Sequence, residues 1–350
     1  MVSSKRSALF FLIFIVLILA VFSLFYARRQ PDSQTEPVTA TAFKLNTVVT
    51  ITLYDSEDQE LLDQAMELCD HYEKIFSRTL PESELYRLNA GTLPQEDGAF
   101  IISDTLAELI SEGLRYSELS GGAFDISIGP VSSLWDFTSG SSVIPDEDDV
   151  KDALKLVDYR QVFLDGNRIR FGMEGMQLDL GAIAKGYIAD RIKEFLVSEG
   201  VKSAILDLGG NILCIGERPD DTPFRIGIQR PFAQRSETVS IAQIDDKSVV
   251  SSGIYERYFE KNGILYHHIL NPRTGFPYEN DLVSVTIISD QSADGDGLST
   301  SCFALGLEQG MELINSLPDV YAAFITADGE LHFSEGMTET FSLTAPETSA

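Results

Sequence analysis

Between Leu178 and Asp190 the chain reads L-D-L-G-A-I-A-K-G-Y-I-A-D, a short apolar strand that meets a glycine and turns at once into a helix. Ile183, Tyr187, Ile188, Ile192, Phe195 and Leu196 keep helical spacing, and Gly200 is placed to close the helix. The backbone must change period at one point, which leaves Asp179 at the strand's end and Lys185 in the first helical turns. Free N–H groups at a helix start attract phosphate, and a carboxylate beside them suits a metal or a ligand hydrogen bond. Alone, the same letters also describe an ordinary capped strand-turn-helix.

The rest of the chain sets this junction in an α+β context. Val49, Ile51 and Leu53 alternate with threonines as a strand, and Leu61 to Phe76 follows as an amphipathic helix. A second helix is expected from Thr105 to Leu119, ending at Gly121 and Gly122. Segments 203–208, 212–215, 225–229, 239–244, 282–289 and 320–326 read as strands. Helices and strands come in blocks and not in βαβ alternation, which predicts mostly antiparallel sheet with flanking helices. No GxGxxG or Walker loop occurs. The acidic run Asp146 to Asp149 reads as a solvated loop or helix start.

The first residues stand apart. Ala8 to Ala27 is almost wholly apolar and long enough for the roughly 20 residues that cross a bilayer. Lys5 and Arg6 before it and Arg28 and Arg29 after it nearly balance, so charge does not set its orientation. We read residues 1–29 as an uncleaved membrane anchor, with a cleaved signal peptide as the alternative. Residues 30–41 read as a flexible linker, 42–335 as a single domain, and 336–350 as a polar, disordered tail.

With 54 acidic and 26 basic residues the formal charge is −28, which disfavours nucleic acid as a partner. An anionic nucleotide would need local help from a helix start or from Mg²⁺. Cys69, Cys214 and Cys302 are too dispersed for a zinc cluster or disulfide framework and read as buried thiols. The four histidines lack transition-metal spacing, so a hard, oxygen-bound ion fits better than zinc.

In Ala293 to Gly306, A-D-G-D-G-L-S-T-S-C-F-A-L-G, Asp296 is placed as a helix N-cap, with Thr300 four residues on along the same face. A carboxylate and a hydroxyl projecting together offer two hard ligands, although capping and packing would account for both. Gly121 to Trp135, G-G-A-F-D-I-S-I-G-P-V-S-S-L-W, could hold a planar ring against an apolar wall. Tyr266 to Gly275, Y-H-H-I-L-N-P-R-T-G, carries the chain's adjacent histidines, and Ser251 to Tyr258, S-S-G-I-Y-E-R-Y, lies just upstream.

Together with S-R-T-L-P-E-S-E-L-Y-R-L-N at 77–89 and I-L-D-L-G-G-N at 205–211, these motifs in this order resemble the ApbE family of FAD:protein FMN transferases. The resemblance spans about Thr41 to Leu317. It implies an extracytoplasmic, Mg²⁺-dependent enzyme that takes FAD as substrate, attaches its FMN half to a Thr or Ser of an acceptor flavoprotein, and releases AMP. It implies metal ligation by Asp296, Thr300 and the main-chain oxygen of Ala182. Asp179 and Lys185 become FAD contacts, Ala123, Phe124 and Asp125 line the flavin or adenine pocket, and Ile269 meets the cofactor. Leu45 falls where the family has the methionine of a Met-Gly-Thr element, which here reads Leu45, Asn46, Thr47. His268 is the candidate base, with Asp296 the alternative.

Two other activities use the same residues. Water in place of the acceptor would make the protein an FAD pyrophosphatase giving FMN and AMP, and a silent site would make it a membrane-tethered flavin-binding protein. Asp296 and Thr300 argue against the silent site. Self-flavinylation is disfavoured, because Thr300, Ser301 and Cys302 stand where an acceptor motif needs Gly, Ala and the accepting hydroxyl.

Overall fold

The threonine-rich stretch before Thr47 is where the structure first departs from the sequence reading. The computed structural model describes residues 36–234 and 236–345, which form one compact unit from Pro37 onward. The expected anchor and the first part of the linker lie outside the described residues. Among the described residues no helix is long and apolar enough to cross a membrane. Residues 38–41, expected as linker, are instead part of strand β1 (Val38–Lys44), paired with β2 (Thr47–Leu53). Thr39 and Thr41 face Thr52 and Thr50 across the pair, hydroxyl to hydroxyl at 3.0 and 3.1 Å, so the polar letters form a cross-strand ladder. Leu45 and Asn46, at φ 53° and 58°, make the two-residue turn between them.

This hairpin begins a central sheet of eight strands whose spatial order is their chain order. After β1 and β2 come β3 (Ala204–Leu208), β4 (Asn211–Ile215), β5 (Ser248–Gly253), β6 (Leu282–Ser289), β7 (Tyr321–Thr326) and β8 (Leu331–Phe333). Every neighbouring pair is antiparallel. Residues alternate between two cores, as the two-residue period of a strand requires. Leu206, Leu213, Val285, Ile287 and Phe324 join the larger core, while Ile205, Cys214, Ile288, Ala323 and Ile325 pack in the second. All eight residues of β6 are therefore buried.

The larger core lies under four longer helices, α1 (Gln59–Phe76), α2 (Asp104–Leu119), α3 (Ala184–Ser198) and α4 (Ser292–Leu305). The second core is closed by a small sheet of Phe224–Gln229, Thr238–Ile244 and Leu343–Thr344. The tail expected to be disordered from 336 is thus ordered to Thr344: Met337 and Phe341 are buried there. A few apolar letters in a polar sequence suffice, because each finds a socket. All three cysteines are free and buried. Gly200, at φ +92°, follows α3, and the bonds Val201 N–H to Leu196 O and Gly200 N–H to Val197 O, both 3.0 Å, close the helix as expected.

Two local expectations need correction. Leu178 to Leu180 is not part of a ladder strand. The Asn89 amide stands in for a neighbouring strand, accepting from Leu178 N at 2.8 Å and donating to Leu178 O at 2.9 Å. Asp296 is not an N-cap, because α4 begins at Ser292 and places it in the second turn. The cap comes from elsewhere in the chain: Asp190 in α3 accepts Ser292 N–H at 2.8 Å and Ala293 N–H at 2.9 Å.

Candidate active site

Helices α3 and α4 cross closely enough that a Cβ on Gly186 would lie 2.2 Å from the Ser292 carbonyl oxygen. That contact lets Asp296, 4 % exposed, reach back to the start of α3 and accept the Gly186 N–H at 2.7 Å. Its other oxygen accepts from Asn211 Nδ2 at 3.0 Å, and Lys185 Nζ stands 3.7 Å from that same oxygen. The free N–H at this helix start is therefore taken by a carboxylate of the same chain.

The crossing forms one wall of a cavity of about 550 Å³. Leu45, Ala123, Phe124, Asp125, Asp179, Ala182, Lys185, His268, Ile269, Asp296 and Thr300 all line it, so the fold brings every residue singled out above to one place. Thr300 shares its hydroxyl with Ser252 Oγ at 3.1 Å. Among the described residues no three His, Cys, Asp or Glu side chains cluster as a metal site. The Asp296 carboxylate and the Thr300 hydroxyl both line this cavity, and so does Ala182.

The carboxylates differ in what they have left to offer. Asp125 accepts from Ser127 N and Oγ through Oδ1 and from Tyr159 N through Oδ2, and burial raises its pKa. It braces the glycine-rich loop. Asp179 accepts from Ser132 Oγ at 2.7 Å and Gly181 N at 3.0 Å and pairs with Arg78 Nε at 3.0 Å. Its negative charge is matched inside the wall by a cation.

The two histidines are also unlike. His267 Nε2 lies 3.0 Å from Tyr278 O, so it carries the proton, and Nδ1 accepts from Ile269 N. Both nitrogens are engaged. His268 Nδ1 lies 3.3 Å from the Arg257 carbonyl, which can only accept; the proton sits on Nδ1, and Nε2 keeps its lone pair. Burial, and after it the nearby Arg257 charge, push the His268 pKa down to about 3.

Sequence reasoning gave no role to several other wall residues. Arg78 and Arg257 line the cavity with Lys185, placing three cations around it. Trp135 stacks on Phe137 at 5.4 Å and donates Nε1–H to Gly275 O at 2.9 Å, tying the Gly121 to Trp135 segment to the Pro-Arg-Thr-Gly turn. Tyr278 donates its hydroxyl to Ala123 O at 2.8 Å. Arg78, Trp135, Asn211 and Arg257 all fall within motifs quoted above, and motif membership was the available signal.

A cavity lined by aromatic rings, cations and hard oxygens suits a molecule that joins a planar ring to phosphates. The ApbE family model matches residues 45–325. The chain belongs to the ApbE family. A Treponema pallidum protein named FAD:protein FMN transferase is 36% identical over 301 residues, covering 81% of this chain and 82% of its own length. A Klebsiella pneumoniae protein of the same name is 36% identical over 305 residues, covering 86% and 93%. The flavin transferase ApbE from Vibrio cholerae shares the architecture with a TM-score of 0.77 at 26% identity, over 87% of this chain and 99% of that one. The ApbE protein from Thermotoga maritima gives 0.78 at 27% identity with the same coverage.

Proposed function

We propose that this ApbE-family protein transfers FMN from FAD to a serine or threonine hydroxyl of an acceptor flavoprotein, with release of AMP. The observation that carries the reading is the single cavity lined by Asp296, Thr300, Ala182, Lys185 and His268 together with Phe124 and Trp135. The acceptor oxygen attacks the phosphorus that stays with FMN. A new P–O bond forms, the bond to the AMP phosphate breaks, and AMP leaves with that electron pair.

The hydroxyl proton goes to His268 Nε2. Burial keeps that imidazole neutral, and a bound diphosphate raises its basicity by stabilising the imidazolium. Lys185, Arg257 and Arg78 offset the charge that accumulates on phosphate oxygens. The donor set fits a hard divalent cation: a carboxylate already oriented by two hydrogen bonds, a hydroxyl four residues on, and a carbonyl. Asp296, Thr300 and Ala182 O would hold Mg²⁺, which when bound supplies positive charge to the diphosphate. The apolar run Ala8 to Ala27 would tether the domain to the membrane on its extracytoplasmic side.

The test is to mix the protein with FAD, Mg²⁺ and an acceptor carrying an Asp-Gly-x-Ser/Thr-Gly-Ala-Thr/Ser segment. Flavin fluorescence on the acceptor should survive denaturing electrophoresis. Asp296→Ala should lower the transfer rate by about 10³-fold or more while leaving the fold intact. Full activity of that variant at saturating Mg²⁺ would overturn the metal assignment. FMN released at the transfer rate without acceptor would assign the site to a pyrophosphatase.

A further inference from the structure

The direction of the Asp296 carboxylate is set from outside its own helix. Asn211, 2 % exposed at the start of β4, donates Nδ2–H to Asp296 Oδ1 at 3.0 Å. Its Oδ1 accepts the Ser292 hydroxyl at 2.6 Å, and Ser292 in turn accepts from Ser248 Oγ at 3.0 Å. Ser248 Oγ also lies 3.1 Å from Ile212 O, and its one proton can serve Ser292 or that carbonyl but not both at once.

The Asp296 carboxylate, which can only accept, fixes the amide orientation. A reversed Asn211 would set its carbonyl oxygen against a carboxylate oxygen, two acceptors with no proton between them. Ser292 and Ser248 are fully buried and Asn211 is 2 % exposed, so the relay behind Asn211 is closed to water. We propose that Asn211 is a positioning residue that fixes the rotamer of Asp296 for cation binding, and that Ser292 fixes Asn211. Nothing in the motif I-L-D-L-G-G-N beyond its place in the chain announces this role; the contact joins residues 85 positions apart.

The proposal rests on the reading of Asp296 as a cation ligand, and Mn²⁺ binding to the full-length protein tests the two separately. Binding is read by paramagnetic resonance in the absence of FAD, beside melting temperature and the transfer rate. Asn211→Ala should weaken Mn²⁺ binding about 10- to 100-fold and lower kcat, with the KM for FAD changed less than threefold. Ser292→Ala, which leaves the amide in place but free to turn, should weaken Mn²⁺ binding about threefold. A purely structural role would lower the melting temperature and leave the Mn²⁺ affinity of the folded protein within twofold of wild type; that outcome overturns the relay. Should Asn211→Ala not fold, unchanged Mn²⁺ affinity in Ser292→Ala overturns it equally. Mn²⁺ binding by wild type that survives Asp296→Ala would overturn the underlying ligand assignment.

Discussion

Two carboxylates at the crossing of α3 and α4 perform the same local act with different results. Each caps the other's helix: Asp190 in α3 accepts N–H groups that open α4, and Asp296 in α4 accepts the Gly186 N–H in the first turn of α3. Asp190 gives an oxygen to each of two backbone donors, and burial pushes its pKa up to about 6. Asp296 gives the backbone one oxygen only, shares the other with Asn211 and Lys185, and opens onto the cavity. Reciprocal capping thus joins two helices, and the one carboxylate that also meets the cavity is the one proposed for chemistry. Position relative to the cavity, not residue type, separates the two.

The comparison depends on the closeness of the crossing, and Gly186→Ala attacks that directly. The added Cβ would fall 2.2 Å from the Ser292 oxygen and 2.5 Å from its carbonyl carbon, both main-chain atoms that cannot step aside alone. Alanine's better helix propensity offers at most about 1 kcal/mol in return. The expected loss is about 3 kcal/mol or more in denaturant unfolding, with transfer lost as Asp296 is displaced. Wild-type stability in this variant would show that the two caps do not depend on contact between the helices.

Asp190→Asn sharpens the contrast between the two carboxylates. It removes one of two acceptors at the start of α4 and is expected to cost about 2 kcal/mol, with a transfer rate reduced far less than by Asp296→Ala. Its pH dependence has a defined sign. A carboxyl whose folded pKa is raised from 3.8 to about 6 binds its proton more tightly in the native state. Wild type therefore gives up stability from this group as pH climbs from about 4 to about 6, and the asparagine variant does not. The stability gap between them should narrow across that window; a gap constant from pH 4 to 7 would mean that Asp190 titrates as an ordinary surface acid.

What could be read in the sequence follows from the range of the interactions. Strand and helix periods are local, and β2, β6, α1 and α2 fall within a few residues of their expected bounds. The cavity residues were reachable because the motifs carry them in a fixed order. The Asp190 cap was hidden, since its partners lie 102 and 103 residues away and nothing near Asp190 mentions them. The same blindness put Asp296 at an N-cap: Ser292 to Gly295 gave no apolar period, and the true start is stabilised by another helix. Thr39 and Thr41 read as linker for a related reason, because their pairing partners come from the next strand.

The far end of α3 provides the smallest expected effect and isolates what makes the near end critical. Gly200, like Gly186, is a glycine at a helix terminus, but a Cβ there meets nothing within 4 Å. Its requirement is conformational only, a φ of +92° that lets Gly200 and Val201 bond the last carbonyls. Gly200→Ala should therefore cost about 1 kcal/mol, the ordinary penalty for a side chain in the left-handed region, and leave the transfer rate unchanged. Urea unfolding and the acceptor-labelling rate measured together decide the point. If Gly200→Ala slowed transfer as much as Gly186→Ala, the helix would be acting on the site through its overall stability. If only Gly186→Ala slows it, the close approach of α3 to Ser292 is what places Asp296.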